Sequence, residues 1–188
     1  EKNFSEGDFS DFVYVSGNPQ FSDVRFGELT GRLPEDTFHS IFKTFKDSWD
    51  DEKNTVLPED TIRDALTAQK LFPDKRIVVH ILPPHYPFIR KPVSKGGISQ
   101  GLEGRDDSAW NLAEAGEVSH EEVEEGYRDN MRYVEDHVRE LGEKLDGKTI
   151  LTSDHGNLVG EAGIYGHPRD KMEKPLKVVP WVRLDNKE

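Results

Sequence analysis

Apolar residues fall along this chain in short blocks whose spacing switches between contiguous β-forming runs and three-to-four repeats, a pattern that predicts strands alternating with helices. Phe12-Val13-Tyr14-Val15-Ser16-Gly17 is an apolar run closed by glycine and followed by Asn18-Pro19, which predicts a buried strand ending in a turn. After Pro34, the residues Phe38, Ile41, Phe42, Phe45 and Trp49 recur at helical spacing, predicting an amphipathic helix with proline in its first turn. A second helix is predicted from Pro58, burying Ile62, Ala65 and Leu66 and stopping before Pro73, and Arg76 to Leu82 gives another strand.

Residues 91–118 hold five glycines and no sustained period, so they read as a long surface loop and a candidate rim for a substrate mouth. Ser119 and Glu122 fit a capping box. Val123, Tyr127, Met131, Val134, Val138, Leu141 and Leu145 then keep helical spacing until Gly147. Lys148 to Ser153 predicts a strand that runs straight into Asp154-His155-Gly156, and Val178 to Leu184 a final strand.

This alternation predicts an α/β fold: a three-layer sandwich with a mostly parallel sheet, helices on both faces, built as a single domain over residues 1–188. In such sheets ligands gather beyond the carboxyl ends of the strands. Two polar clusters sit at such ends, His80 to His85 and Asp154 to His155.

Composition narrows the chemistry. With 37 acidic against 25 basic residues, a formal charge of −12, the chain repels polyanions, so nucleic acid is excluded as an expected partner. The absence of cysteine removes disulfides, thiolate metal sites and cysteine nucleophiles, leaving histidine and carboxylate as ligands. An acidic, cysteine-free composition is that of a salt-adapted cytoplasmic protein, so a cytoplasmic location is expected. No apolar run approaches the roughly 20 residues of a spanning helix, and no signal peptide opens the chain. The first residue is Glu rather than Met, from which a fragment or processed product is expected.

Ile150-Leu151-Thr152-Ser153 would deliver the carboxylate of Asp154 and the imidazole of His155 to an exposed strand end, with Gly156 permitting a tight turn. Oxygen and nitrogen donors there suit a divalent cation with an open coordination position. The plainer account is an Asp that caps a turn and a solvated His.

Context favours the metal. Thr152-Ser153-Asp154-His155-Gly156, Gly160-Glu161 and Gly163-Ile164-Tyr165-Gly166-His167 together resemble the sulfatase and phosphoethanolamine transferase branch of the alkaline phosphatase superfamily, C-terminal part of the catalytic domain. Val79-His80-Ile81-Leu82-Pro83-Pro84-His85-Tyr86-Pro87 resembles a second segment of the same families. The resemblance covers roughly residues 76 to 184. It implies that Asp154 and His155 bind the catalytic divalent metal (Ca²⁺, Mg²⁺, Mn²⁺ or Zn²⁺), and that His85 and His167 are catalytic and contact the transferred group. It also points to a substrate-binding lysine for which Lys171 is the candidate, although the spacing Gly166-His167-Pro168-Arg169-Asp170-Lys171 departs from the family pattern. His80 fits a site role and a hydrogen-bonded core histidine equally well.

The implied activity is metal-dependent hydrolysis of sulfate esters, on a small-molecule or glycan substrate. The alternatives are a phosphotransferase or phosphodiesterase of the same superfamily and an inactive binding module. The family's N-terminal strand, with an acidic ligand and then its nucleophile, is not visible, and no Ser or Thr stands in that context. The chain alone is therefore expected to be inactive.

Overall fold

A computed structural model describes residues 4–93 and 108–184. They divide into two compact units, one ending at Pro83 and one beginning at Pro84. Residues 94–107 of the expected loop lie outside the described residues.

The first unit is built on β1 (Phe9–Ser16), followed by α1 (Asp23–Thr30), α2 (Pro34–Thr37), β2 (Phe38–Phe42) and α3 (Thr44–Asp47). A short antiparallel pair, β3 (Trp49–Asp50) with β4 (Thr55–Val56), precedes α4 (Pro58–Leu71) and β5 (Arg76–His80). The sheet order is β2-β1-β5, all parallel, with Val13 beside Ile77 and Ser16 beside His80. Alternation along β1 sends Tyr14 to one face, where it packs with Phe21, Phe26 of α1 and Phe38. Val13 and Val15 go to the other face, against Ala68 of α4. A parallel sheet with a helix on each face makes this an α/β fold, as the alternation predicts.

The helix expected over Phe38 to Trp49 does not form. Phe38–Phe42 is a strand beside β1, and its apolar residues divide between the faces, Ile41 with the Tyr14 cluster and Phe42 with the Val13 cluster. A helical stripe would place them on one side. Burying such side chains is worth roughly 1.5–3 kcal/mol each, against a few tenths per residue for helix propensity, so the sheet wins. Helix α1 was not legible as a stripe, but its ends are marked: Ser22 Oγ accepts the Arg25 N–H at 3.3 Å, and Gly31 closes it.

His80 ends β5 as a supported histidine. Asn18 Oδ1 accepts the Gln20 N–H at 2.9 Å, which turns the Asn18 amide nitrogen toward His80 Nε2 at 3.4 Å. His80 Nδ1–H is thereby left to donate to the Tyr14 hydroxyl at 3.0 Å.

The second unit contains α5 (Ala109–Glu114), α6 (His120–Lys144) and β6 (Thr149–Thr152). They are followed by β7 (Leu158–Val159), a 3₁₀ turn at Glu161–Gly163, β8 (Tyr165–Gly166), α7 (Lys174–Lys177) and β9 (Trp181–Leu184). Its core joins Phe88, Ala109, Trp110, Ala113 and Val123. Helix α5 corrects the loop expected over 91–118: Ser108 caps it, and it buries Trp110. The capping box of Ser119 and Glu122 is present as expected. The stripe of α6 is shifted, however, because Met131 is exposed while Asn130 is completely buried. Strands β6 and β9 pair antiparallel with each other, not within the parallel sheet. No helix among the described residues is long and apolar enough to cross a membrane.

A candidate active site of three histidines and an aspartate

The second unit brings together side chains that the sequence holds far apart. His85 lies in the turn leading from Pro84 to Phe88, His155 follows β6, and His167 follows β8. The rings of His155 and His167 have centroids 4.2 Å apart, and those of His85 and His167 are 5.8 Å apart, so His167 stands between the other two. Asp154 is exposed beside His155, with Oδ2 3.6 Å from His155 Nε2.

Each imidazole is fixed through the same nitrogen. His85 Nδ1 lies 2.7 Å from the Tyr86 carbonyl, His155 Nδ1 2.8 Å from the Gly156 carbonyl, and His167 Nδ1 2.8 Å from Asn157 Oδ1. These partners only accept, so Nδ1 carries the hydrogen in all three rings and Nε2 presents a lone pair. Asn157 is anchored in turn by its amide nitrogen, which donates to the Tyr127 hydroxyl at 3.2 Å. Histidines that bind metals are commonly oriented in this way, by donating the other ring N–H to a carbonyl or carboxylate.

Helix α6 holds the loop of His85 through Asn130. Its Oδ1 accepts the Ile89 N–H at 2.9 Å, and its amide nitrogen reaches the carbonyls of Pro84 (3.3 Å), His85 (3.3 Å) and Pro87 (3.2 Å). Leaving one buried group of this kind unpaired costs about 1–3 kcal/mol, so a single side chain secures the turn. Sequence reading passed over Asn130, although a polar residue seven positions after Val123 and three after Tyr127 stands in the apolar phase of α6. Asn157 and Tyr127 carried no comparable signal.

Two glycines let the site close. A Cβ on Gly156 would sit 1.9 Å from the Pro175 carbonyl oxygen, so the turn of α7 packs directly on the backbone after His155. Gly166 has φ +74° and receives the face of Trp110, which sets the backbone just before His167.

The electrostatics follow from the crowding. Burial pushes His85 down to about 4; the neighbouring His167 and His155 add to this, while the Tyr86 carbonyl and Asp154 oppose it. His167 is also held below the ordinary imidazole value, first by burial and then by His155 and Arg169, against Asp154, although part of its ring faces solvent. His85 is therefore neutral at neutral pH.

The donor chemistry of Asp154 and His155 fits a metal. Two ligands about 2.1 Å from one ion at a tetrahedral angle stand about 3.4 Å apart, close to the observed 3.6 Å, which is too long for a direct hydrogen bond. Among the described residues, no group of three or more His, Asp or Glu comes together as a complete metal-holding set. Lys171 lies in the turn after His167, its backbone N–H on the Pro168 carbonyl at 3.3 Å, and its ammonium makes no ion pair among the described residues. The hydroxyls preceding Asp154 and His155 are both engaged: Thr152 donates to the Pro180 carbonyl at 2.8 Å and Ser153 to the His155 carbonyl at 3.1 Å. Neither meets an imidazole.

Compared with protein-family models the chain matches none, and no curated protein matches it.

Proposed function

We propose that the chain carries the metal and histidine half of an ester-hydrolysing site of the alkaline phosphatase superfamily, sulfatase branch, acting on sulfate esters. One observation carries the reading: His85, His155 and His167 converge beside Asp154 with every Nδ1 bonded to an acceptor, and His155 Nε2 facing Asp154 Oδ2 at 3.6 Å. Asp154 and His155 hold the divalent ion, which when bound supplies Lewis acidity toward the ester oxygens. His85, neutral and half-buried, would take a proton at Nε2 from an attacking hydroxyl supplied from outside the described residues, as that oxygen bonds to the sulfuryl group. That proton would pass through His167 to the alcohol oxygen as the ester bond breaks, so the cluster carries one proton at a time, and Arg169 and Lys171 offer positive charge to the anionic group. Sulfate is the first substrate class and phosphate the second, since both present the same tetrahedral oxyanion.

A second reading, a binding site without turnover, is favoured by the hydroxyls of Thr152 and Ser153, which donate to carbonyls and are not activated by an imidazole. Calorimetry with Zn²⁺, Mn²⁺, Mg²⁺ and Ca²⁺ on wild type and Asp154→Ala tests what both readings share. Weak saturable heats lost in the variant are expected, because two protein ligands are fewer than the three or four of ordinary sites. Equal heats from both proteins remove the metal assignment.

A further inference from the structure

Tyr127 and Asn130 are three residues apart on α6, so both project from one side of the helix. Each ends at a different histidine. Asn130 binds the backbone of Pro84, His85, Pro87 and Ile89, and Tyr127 binds Asn157, whose other atom fixes His167. We propose that Tyr127 and Asn130 are positioning residues: one face of α6 sets the ring orientation of His167, through Asn157, and the placement of His85 for the chemistry proposed above, on which their functional meaning rests.

Three features support the assignment. The first is burial: Asn130 is wholly enclosed, and a polar side chain there is costly unless its hydrogen bonds are made, as they are. The second is the anchoring of Tyr127, whose ring packs at 5.9 Å from Trp110 and 6.3 Å from Phe88, so its hydroxyl has a fixed origin. The third is the position of the Asn157 amide, which bridges the Tyr127 hydroxyl at 3.2 Å and His167 Nδ1 at 2.8 Å; that hydroxyl can accept or donate, so it anchors the amide against the imidazole without itself choosing the tautomer. A phenylalanine at 127 would keep the aromatic packing and remove that anchor, freeing the amide beside His167.

The test reads tautomers directly, by two-dimensional proton–nitrogen spectra of the imidazole rings in the metal-free, ¹⁵N-labelled chain at neutral pH. Wild type is expected to show His85, His155 and His167 with the hydrogen on Nδ1. Tyr127→Phe should change the His167 pattern, because Asn157 loses its anchor, while His85 and His155 stay as they were. Asn130→Asp, which sets a carboxylate against three carbonyls, should move His85 and leave His167. Should that variant not fold, Asn130→Ser keeps a partner for the Ile89 N–H and serves in its place. An unchanged His167 pattern in Tyr127→Phe, or equal movement of all three rings, overturns the proposal. Zn²⁺ calorimetry run in parallel separates this from the function: Tyr127→Phe leaves Asp154 and His155 intact, so its heat should match wild type. Absent heat in wild type together with the expected tautomers would sink the metal reading and leave the positioning roles standing.

Discussion

His155 and His167 lie with ring centroids 4.2 Å apart and planes inclined by 38°, a closeness that adds to burial in holding His167 below the ordinary imidazole value. His85 adds a third imidazole, 5.8 Å from His167. Burial and crowding together favour the neutral forms of His85 and His167, whose basic nitrogens stay available near neutral pH where isolated histidines would be partly charged.

The pH dependence of stability should show this. The folded His85 titrates at about 4 against an ordinary 6.5, so between those values the unfolded chain holds a proton that the folded chain does not. The stabilisation is fully present above pH 6.5 and is lost as pH falls through the window to about 4. Its size is on the order of 2 kcal/mol, taking 1.36 kcal/mol per unit and allowing for solvent at the half-buried ring. Urea unfolding at pH 7 and pH 4 with chelator present should show His85→Gln losing about 2 kcal/mol less than wild type over that interval. The same loss in both proteins would mean that burial of this ring does not govern the transition.

Gly156→Ala should injure the metal donors without touching a donor atom. The added Cβ would lie 1.9 Å from a backbone oxygen of Pro175, which cannot swing aside as a side chain can. Overpacking of this kind costs about 1–3 kcal/mol, and the cheapest relief is to displace either the 174–177 turn or the backbone of His155. A lowered melting temperature and a weakened Zn²⁺ heat are expected together. Full metal affinity in a stable variant would show that the contact with Pro175 is dispensable.

Turnover is expected to be missing from this chain by itself. The described hydroxyls next to the metal donors are committed to carbonyls, and the covalent step needs an activated nucleophile. Assays with p-nitrophenyl sulfate and bis-p-nitrophenyl phosphate should stay at background with metal added. Hydrolysis abolished by Asp154→Ala would establish that a nucleophile has been overlooked, with Thr152 and Ser153 the first residues to substitute.

The strand of Phe12 to Ser16 was legible because contiguous β-formers have few other uses, and α6 because its capping box and long stripe agree. Phe38 to Trp49 misled, since spacing alone does not say whether apolar residues face one side of a helix or two sides of a strand. The gathering of His85, His155 and His167 was legible only in outcome. The expected cause was a shared parallel sheet edge, but β6 pairs antiparallel with β9, and the histidines are fixed instead by Asn130 and by Tyr127 through Asn157. Side-chain contacts between residues tens of positions apart leave no periodicity to read, apart from the out-of-place asparagine in the stripe of α6.

The meeting of Gly156 with the Pro175 carbonyl bears on how the tripeptide Asp154-His155-Gly156 is to be interpreted as a signature. On the function proposed above two letters of it are donors, while the third is a clearance, required by a neighbouring turn whether or not any ion ever binds. A descendant that lost all chemistry would shed the aspartate and histidine freely and still retain the glycine. In such a lineage the surviving glycine would testify to the architecture alone, and only the first two positions would record whether selection for reaction persists.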